Sequence, residues 1–151
     1  METVRKKVSK PRPAISARVE REFKRVVLDL ITCWKRKAAI YELQPIAGRY
    51  SEAGHADIFI VCRGRVLALE VKRDSNNSHE KKTRTPRKNE AAQAIQKERL
   101  LAAGGDWLVV SPALLEKFVS KMEVLTQIRV TDLDAVDSAR VAKVLSAFAE
   151  G

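Results

Sequence analysis

Two acidic residues and a lysine border two apolar stretches in the middle of the chain. Asp57 directly precedes one apolar run, and Glu70 and Lys72 close the next. Charged side chains beside core-like segments are costly to bury unless they are paired or bind a metal. Residues two apart on a strand point to the same face, so Glu70 and Lys72 project together while Val71 leaves its carbonyl near them. This placement indicates a metal-dependent phosphodiesterase site.

The chemistry of such a site follows from its residue types. Hydrolysis of a phosphodiester needs charge neutralisation at phosphorus and an activated water, and a hard divalent cation with oxygen ligands supplies both. The carboxylates of Asp57 and Glu70 and the carbonyl of Val71 offer three oxygens for Mg²⁺. Lys72 can orient the attacking water or stabilise charge that develops on the phosphate. A plain salt bridge between strand acids and a lysine is the alternative for the same pattern.

A first helix is predicted from near Ser16 to about Lys37. Its apolar residues fall on one stripe at helical spacing. They are Phe23, Val27, Leu30, Ile31 and Trp34. Glu20 falls on that stripe too, and an inward acid at the end of an apolar stripe needs a partner. The alternative is an acid near the helix N-terminus that the helix dipole stabilises.

The remaining elements alternate between strands and helices. They are a strand at 41–46, an antiparallel hairpin built from the runs 58–61 and 66–69, a helix at 89–103, a buried strand at 106–110, a helix from 111 to about 124, an edge strand at 127–130 and a last helix capped by Asp132 or Asp134. Ser111 is predicted to cap its helix, and the last helix has apolar positions that include Val136. Trp34 and Trp107 are interpreted as core residues. The order predicts an α/β fold with a central mixed sheet and helices on both sides.

The totals favour one domain with a basic surface. The chain has 151 residues and a net charge of +10, which predicts a polyanionic partner, with nucleic acid ahead of a membrane. On charge alone, a merely soluble basic protein is the equal alternative. No apolar run approaches the roughly 20 residues that a bilayer needs. Cys33 and Cys62 are too few for a structural zinc site and are expected to be reduced and buried in a cytosolic protein. Residues 1–14 are predicted to be a flexible basic arm and 15–151 a single domain.

A long polar and strongly basic segment follows Lys72. Residues 73–89 lack apolar periodicity, and connections of this length are usually functional or disordered. Its position next to the acidic pair favours contact with phosphate over a merely solvated loop. The residues predicted to contact nucleic acid are Lys81, Lys82, Arg84, Arg87 and Lys88.

Over residues 18–111 the chain resembles the VRR-NUC family (virus-type replication-repair nucleases) of the PD-(D/E)XK nuclease superfamily. Glu20 resembles the acid of the family's first helix, and 54–57 (Gly-His-Ala-Asp) resembles its G-x-x-D element. The sequence 70–72 (Glu-Val-Lys) matches its E-V-K, and Gln93 stands at the place of a helical glutamine. The run 102–110 resembles the end of that helix and the strand that follows.

The resemblance implies a restriction-endonuclease-like PD-(D/E)XK core and gives each motif residue a role. Asp57, Glu70 and the Val71 carbonyl would hold Mg²⁺ or Mn²⁺, and Lys72 would assist the nucleophilic water. Glu20 would reach the metal site directly or through water.

Gln93 would position Lys72, the water or a phosphate. An exposed helix residue is the equal alternative for Gln93, with Gln96 as the second candidate for the role. The sequence departs from the family where Ala56 replaces proline and where Lys24 stands at the place of a glutamine. Lys24 lies on the same helical face as Glu20 and can pair with it.

The function implied is a Mg²⁺- or Mn²⁺-dependent, structure-selective DNA endonuclease of the Holliday-junction-resolvase type. It would act on four-way junctions as a homodimer, in the cytoplasm of a bacterium or of a phage-infected host cell, with no membrane partner. A four-way junction has approximate two-fold symmetry, so a dimer can present one site to each of two strands. The alternatives are a non-catalytic nucleic-acid-binding module on a nuclease fold, and a restriction-type or RNA-directed enzyme on the same scaffold.

Overall fold

A computed structural model describes residues 20–45, 54–72 and 88–149, without the side chains of residues 20, 88 and 89. Within them the protein is a mixed α/β fold. The helices are α1 (Glu20–Lys35), α2 (Lys88–Ala102), α3 (Leu115–Thr126) and α4 (Ala135–Ala149), and the strands are β1 (Tyr41–Leu43), β2 (Ile58–Cys62), β3 (Arg65–Val71) and β4 (Asp106–Val110). Short 3₁₀ turns at Pro112–Leu114 and Val130–Asp132 flank α3. Among these residues, no helix has both the length and the apolar character that spanning a membrane requires.

The sheet has the strand order β1-β2-β3-β4. β1, β2 and β3 are antiparallel neighbours, whereas β4 runs parallel to β3. Arg63 and Gly64 have φ angles of 55° and 79°, which suit a tight two-residue turn between β2 and β3. The predicted hairpin is therefore confirmed. The start of β2 and the ends of β3 and β4 meet at one end of the sheet, and we call this the site edge.

One face of the sheet carries the main core. Ile58, Ile60, Leu67 and Leu69 are buried on it, because alternate strand residues share a face. The predicted apolar stripe of α1 packs here, and all five of its members are fully buried. Burial of each such side chain is worth about 1.5–3 kcal/mol. The same alternation sends Ala68 and Glu70 to the opposite face.

The C-terminal residues close this core over α1. Phe118, Met122 and Val141, from α3 and α4, belong to the same buried cluster as α1. Phe148 meets Phe23 edge-on, with ring centroids 5.6 Å apart. The final forty residues, which carry no recognisable motif, therefore have a structural role: they hold the helix that begins at Glu20.

Some predicted elements are wrong or shorter. The edge strand at 127–130 does not form, because Gln127 adopts a left-handed φ of 63° and its N–H bonds to the Glu123 carbonyl, ending α3. The first strand ends at Leu43 rather than at 46, and residue 46 lies outside the described residues. Ser111 precedes the 3₁₀ turn, but its hydroxyl makes no cap hydrogen bond. Val136, an apolar position of the last helix, is 72% exposed.

Candidate functional site

The sheet hydrogen bonds bring the two acidic motifs to the site edge. The Asp57 N–H donates to the Leu69 carbonyl at 2.9 Å, so Asp57 lies beside the end of β3. The Lys72 N–H donates to the Val110 carbonyl at 2.8 Å, which extends the pairing of β3 with β4 one residue further. Residues 57 and 70–72 are therefore neighbours across adjacent strands, as the sequence predicted.

The Asp57 carboxylate is fixed by the backbone of the second motif. The Val71 N–H donates to Asp57 Oδ2 at 2.8 Å. Burial raises the pKa of this carboxyl group, although the Val71 N–H and the positive charges of Lys24 and Lys72 pull it down, and the Glu70 charge adds to the rise. Asp57 is thus a partly desolvated carboxylate in a cluster of two acids and two lysines.

Glu70 is the more deeply buried acid, at 7% exposure. Its two oxygens have different partners: the Trp107 indole N–H donates to Oε1 at 3.2 Å, and the Lys72 ammonium lies 2.8 Å from Oε2. The Lys72 side chain is 38% exposed. Lys72 therefore contacts the buried Glu70 carboxylate and is also partly exposed to solvent.

Helix α2 approaches the site through Gly54, three residues before Asp57. Gly54 has a φ of +89°, and a Cβ atom built on it would lie 2.4 Å from the Ala92 carbonyl and 2.7 Å from the Gln93 nitrogen. Only glycine permits this contact, since the conformation and the space both exclude a side chain. The backbone at Gln93 is thus brought to the loop that carries Asp57. Within the described residues, no hydrogen bond joins the half-buried Gln93 side chain to Asp57, Glu70 or Lys72.

Several predicted site residues fall outside what the structure describes. Glu20 is the first residue of α1, but its side chain is not described. Lys88 is the first residue of α2 rather than part of a loop, again without a described side chain. The other predicted nucleic-acid contacts, Lys81, Lys82, Arg84 and Arg87, lie outside the described residues. His55 is exposed.

Sequence reasoning missed the role of Trp107. This residue was interpreted as core, but it is half-buried and donates to Glu70. The register pairs Trp107 with Ala68, which places it diagonally across from Glu70 on the same face. The sequence did carry a signal for this contact. The predicted strand alternation places Trp107 on one face of β4, and an indole N–H needs a polar partner when it is buried. The pairing of β3 with β4, which identifies that partner, is not readable from the sequence.

The donor set at the site edge suits a hard cation. Asp57 and Glu70 contribute carboxylates from neighbouring segments, and the Val71 carbonyl is a third oxygen on the same strand; such ligands suit Mg²⁺ or Mn²⁺. Within residues 20–45, 54–72 and 88–149, no group of three or more His, Cys, Asp or Glu side chains is arranged to hold a metal ion. Among the described residues, the candidate metal site is therefore a pair of carboxylates. Water and phosphate oxygens would fill the remaining coordination positions of a cation bound there.

Comparisons with models of known protein families, with curated proteins and with solved structures find no match to this chain.

Proposed function

We propose that this chain is a Mg²⁺- or Mn²⁺-dependent DNA endonuclease of the Holliday-junction-resolvase type, and that its resemblance to the VRR-NUC family reflects kinship. The observation that carries the proposal is the meeting of Asp57, Glu70 and Lys72 at one edge of the sheet. Val71 is bonded to Asp57 at 2.8 Å and Lys72 to Glu70 at 2.8 Å. The mixed sheet, with three antiparallel strands and a fourth strand after a helix, agrees with the core that the resemblance implies.

Each group at the site edge has a separate role in the proposed reaction. A divalent cation, when bound, neutralises charge at phosphorus and lowers the pKa of a coordinated water. Asp57 and Glu70 would hold that ion, and the Val71 N–H keeps the Asp57 carboxylate turned toward the site edge. Lys72 provides an ammonium group that can orient the water or stabilise charge on the phosphate.

The substrate class rests on charge and shape. The net charge of +10 favours a polyanion, and the basic segment 73–89 follows Lys72 directly in the sequence. We propose that recognition depends on DNA structure rather than on sequence, as the resemblance implies. We propose that two copies act together, because a homodimer matches the approximate two-fold symmetry of a four-way junction.

The test is a cleavage assay on labelled four-way junctions, flaps and linear duplex, with Mg²⁺ or Mn²⁺ and with EDTA. We expect metal-dependent cleavage, strongest on four-way junctions. Lys72→Ala should lower the rate by at least about 100-fold, the typical contribution of a positioned charged or acid–base group.

Lys121→Ala is the matched control for this variant. Lys121 also lies 2.8 Å from a carboxylate, that of Asp106, but Asp106 begins β4 at the opposite end of the sheet. The Lys121→Ala variant should cleave at a rate within about twofold of the wild type, because it removes a lysine–carboxylate pair of the same length whose acid is more exposed, far from the site edge. No cleavage of any substrate, or equal rates for both lysine variants, would contradict the proposal.

A second candidate is a nucleic-acid-binding module without catalysis. The observation in its favour is that Lys72 pairs with Glu70, while Lys24 and Lys72 both act on Asp57; two lysines can balance two acids without a cation. Such a module would bind DNA in a salt-sensitive way, whereas calorimetric titration would find no Mn²⁺ binding that depends on Asp57. An endonuclease requires that dependence.

A further inference from the structure

Trp107 directs its indole N–H to an acid at the site edge. Its indole N–H donates to Glu70 Oε1 at 3.2 Å, and Glu70 is only 7% exposed. The indole N–H can only donate a hydrogen bond. The tryptophan side chain has just two rotatable torsions, so it is a comparatively rigid donor. The contact therefore connects a rigid group on β4 to the most buried acid at the site edge.

The two oxygens of Glu70 are consequently not equivalent. Oε1 is held from the β4 side by Trp107, whereas Oε2 faces the Lys72 ammonium. The carboxylate of a glutamate rotates readily about its last torsion, so a partner on one oxygen fixes which way the other points. Trp107 thus turns Oε2 toward the lysine that the proposed reaction uses.

We propose that Trp107 is a positioning residue for Glu70: its indole N–H holds Oε1, so that Oε2 is presented to a divalent cation and to Lys72. The inference rests on the proposed function, because it assigns Trp107 a role toward the same ion. Partners that orient metal-binding carboxylates typically change metal affinity by 10- to 100-fold when removed.

The chain offers a matched control, since it has two tryptophans and each indole N–H has a described acceptor. The Trp34 indole donates to the Ile128 carbonyl at 2.9 Å, within the core beneath α1. Trp34→Phe and Trp107→Phe therefore delete the same kind of hydrogen bond. Only the second deletion touches a site acid.

The first measurement is the ¹H–¹⁵N spectrum of the indole groups during titration with Mg²⁺, which is diamagnetic. Each resonance is assigned by the disappearance of its signal in the Phe variant. We expect the Trp107 indole resonance to move with Mg²⁺ and the Trp34 resonance to stay in place. Glu70→Ala should shift the Trp107 resonance in metal-free protein and abolish its response to Mg²⁺.

The second measurement is Mn²⁺ affinity by calorimetry. Trp107→Phe should raise the dissociation constant about tenfold, and Trp34→Phe should leave it within about twofold. Both variants lose some stability, so affinity is measured where thermal unfolding shows each to be folded.

The outcomes separate the two proposals. One contrary result is that the Val71 and Lys72 amide resonances respond to Mg²⁺ while the Trp107 indole resonance does not. Another is that Trp107→Phe binds Mn²⁺ as tightly as the wild type does. Either result would contradict the proposed role of Trp107 and leave the proposed metal site in place. If no resonance at the site edge responds to Mg²⁺ and calorimetry finds no Mn²⁺ binding, the metal site and the inference both fall.

Discussion

Asp57 is the residue in which stability and the proposed metal-binding role oppose each other. Its carboxylate is partly buried, and this burial raises its pKa. Without a cation, the folded protein keeps this carboxylate where water is scarce, at a cost that the Val71 N–H, Lys24 and Lys72 offset in part. A bound cation would relieve that cost. Residues of this kind are common in sites where binding, rather than stability, determines the residue type.

The raised pKa of Asp57 predicts a pH dependence for the metal-free protein. The folded state binds this proton more tightly than the unfolded chain does, so the free energy of unfolding contributed by Asp57 falls as pH rises from its ordinary pKa of 3.8 through the raised value. Asp57→Asn keeps an oxygen for the Val71 N–H and carries no charge. Urea unfolding in EDTA should therefore find the variant more stable than the wild type at pH 7, with a smaller difference at pH 4.

Asp106→Asn is the control for that experiment, because Asp106 is more exposed and pairs with Lys121. It should gain no stability at pH 7. A wild type that is more stable than Asp57→Asn at pH 7 in EDTA would mean that burial does not dominate the pKa of Asp57.

At the level of elements, the site depends on how closely α2 approaches the loop before β2. Gly54 makes that approach possible, because a Cβ atom there would lie 2.4 Å from the backbone of Ala92. The loop and the helix are thus held together without a side chain between them. Asp57, three residues later, takes its position from this contact and from the β3 backbone.

Gly54→Ala should therefore damage both stability and metal binding. Gly64→Ala is the matched control: Gly64 has a similar φ of +79°, but nothing lies within 4 Å of a Cβ atom there. Both variants pay about 1–2 kcal/mol for the left-handed backbone. Gly54→Ala should lose about 2 kcal/mol more through overpacking, and it alone should weaken Mn²⁺ binding. Equal losses from the two variants would mean that α2 does not constrain the site loop.

The sequence predicted those elements whose signals are local. The α1 stripe and the hairpin follow from periodicity and from a turn sequence, and both form as expected. The prediction of an edge strand at 127–130 was wrong, because the apolar residues Ile128 and Val130 pack against the core cluster rather than in a sheet. The Trp107–Glu70 contact and the reason for Gly54 depend on which elements pack together. That information lies in tertiary structure, beyond the reach of a local pattern.

For the whole molecule, the net charge of +10 predicts how the proposed DNA binding responds to salt. Each side chain that contacts a phosphate contributes about 0.9 to the slope of log affinity against log salt concentration for duplex DNA. Replacing Lys81, Lys82, Arg84 and Arg87 together by glutamine should weaken binding to every DNA substrate and flatten this slope, as measured by fluorescence anisotropy. An unchanged slope would mean that the basic segment does not contact DNA phosphates.

We propose that Asp57 and Glu70 together hold one divalent cation, and calorimetric titration with Mn²⁺ is the decisive experiment. The wild type and Asp106→Asn should bind Mn²⁺ with similar affinity. Asp57→Asn and Glu70→Gln should each lose most of that affinity, because each removes one anionic oxygen ligand. Mn²⁺ binding that survives both site substitutions unchanged, or no binding by the wild type, would contradict the account.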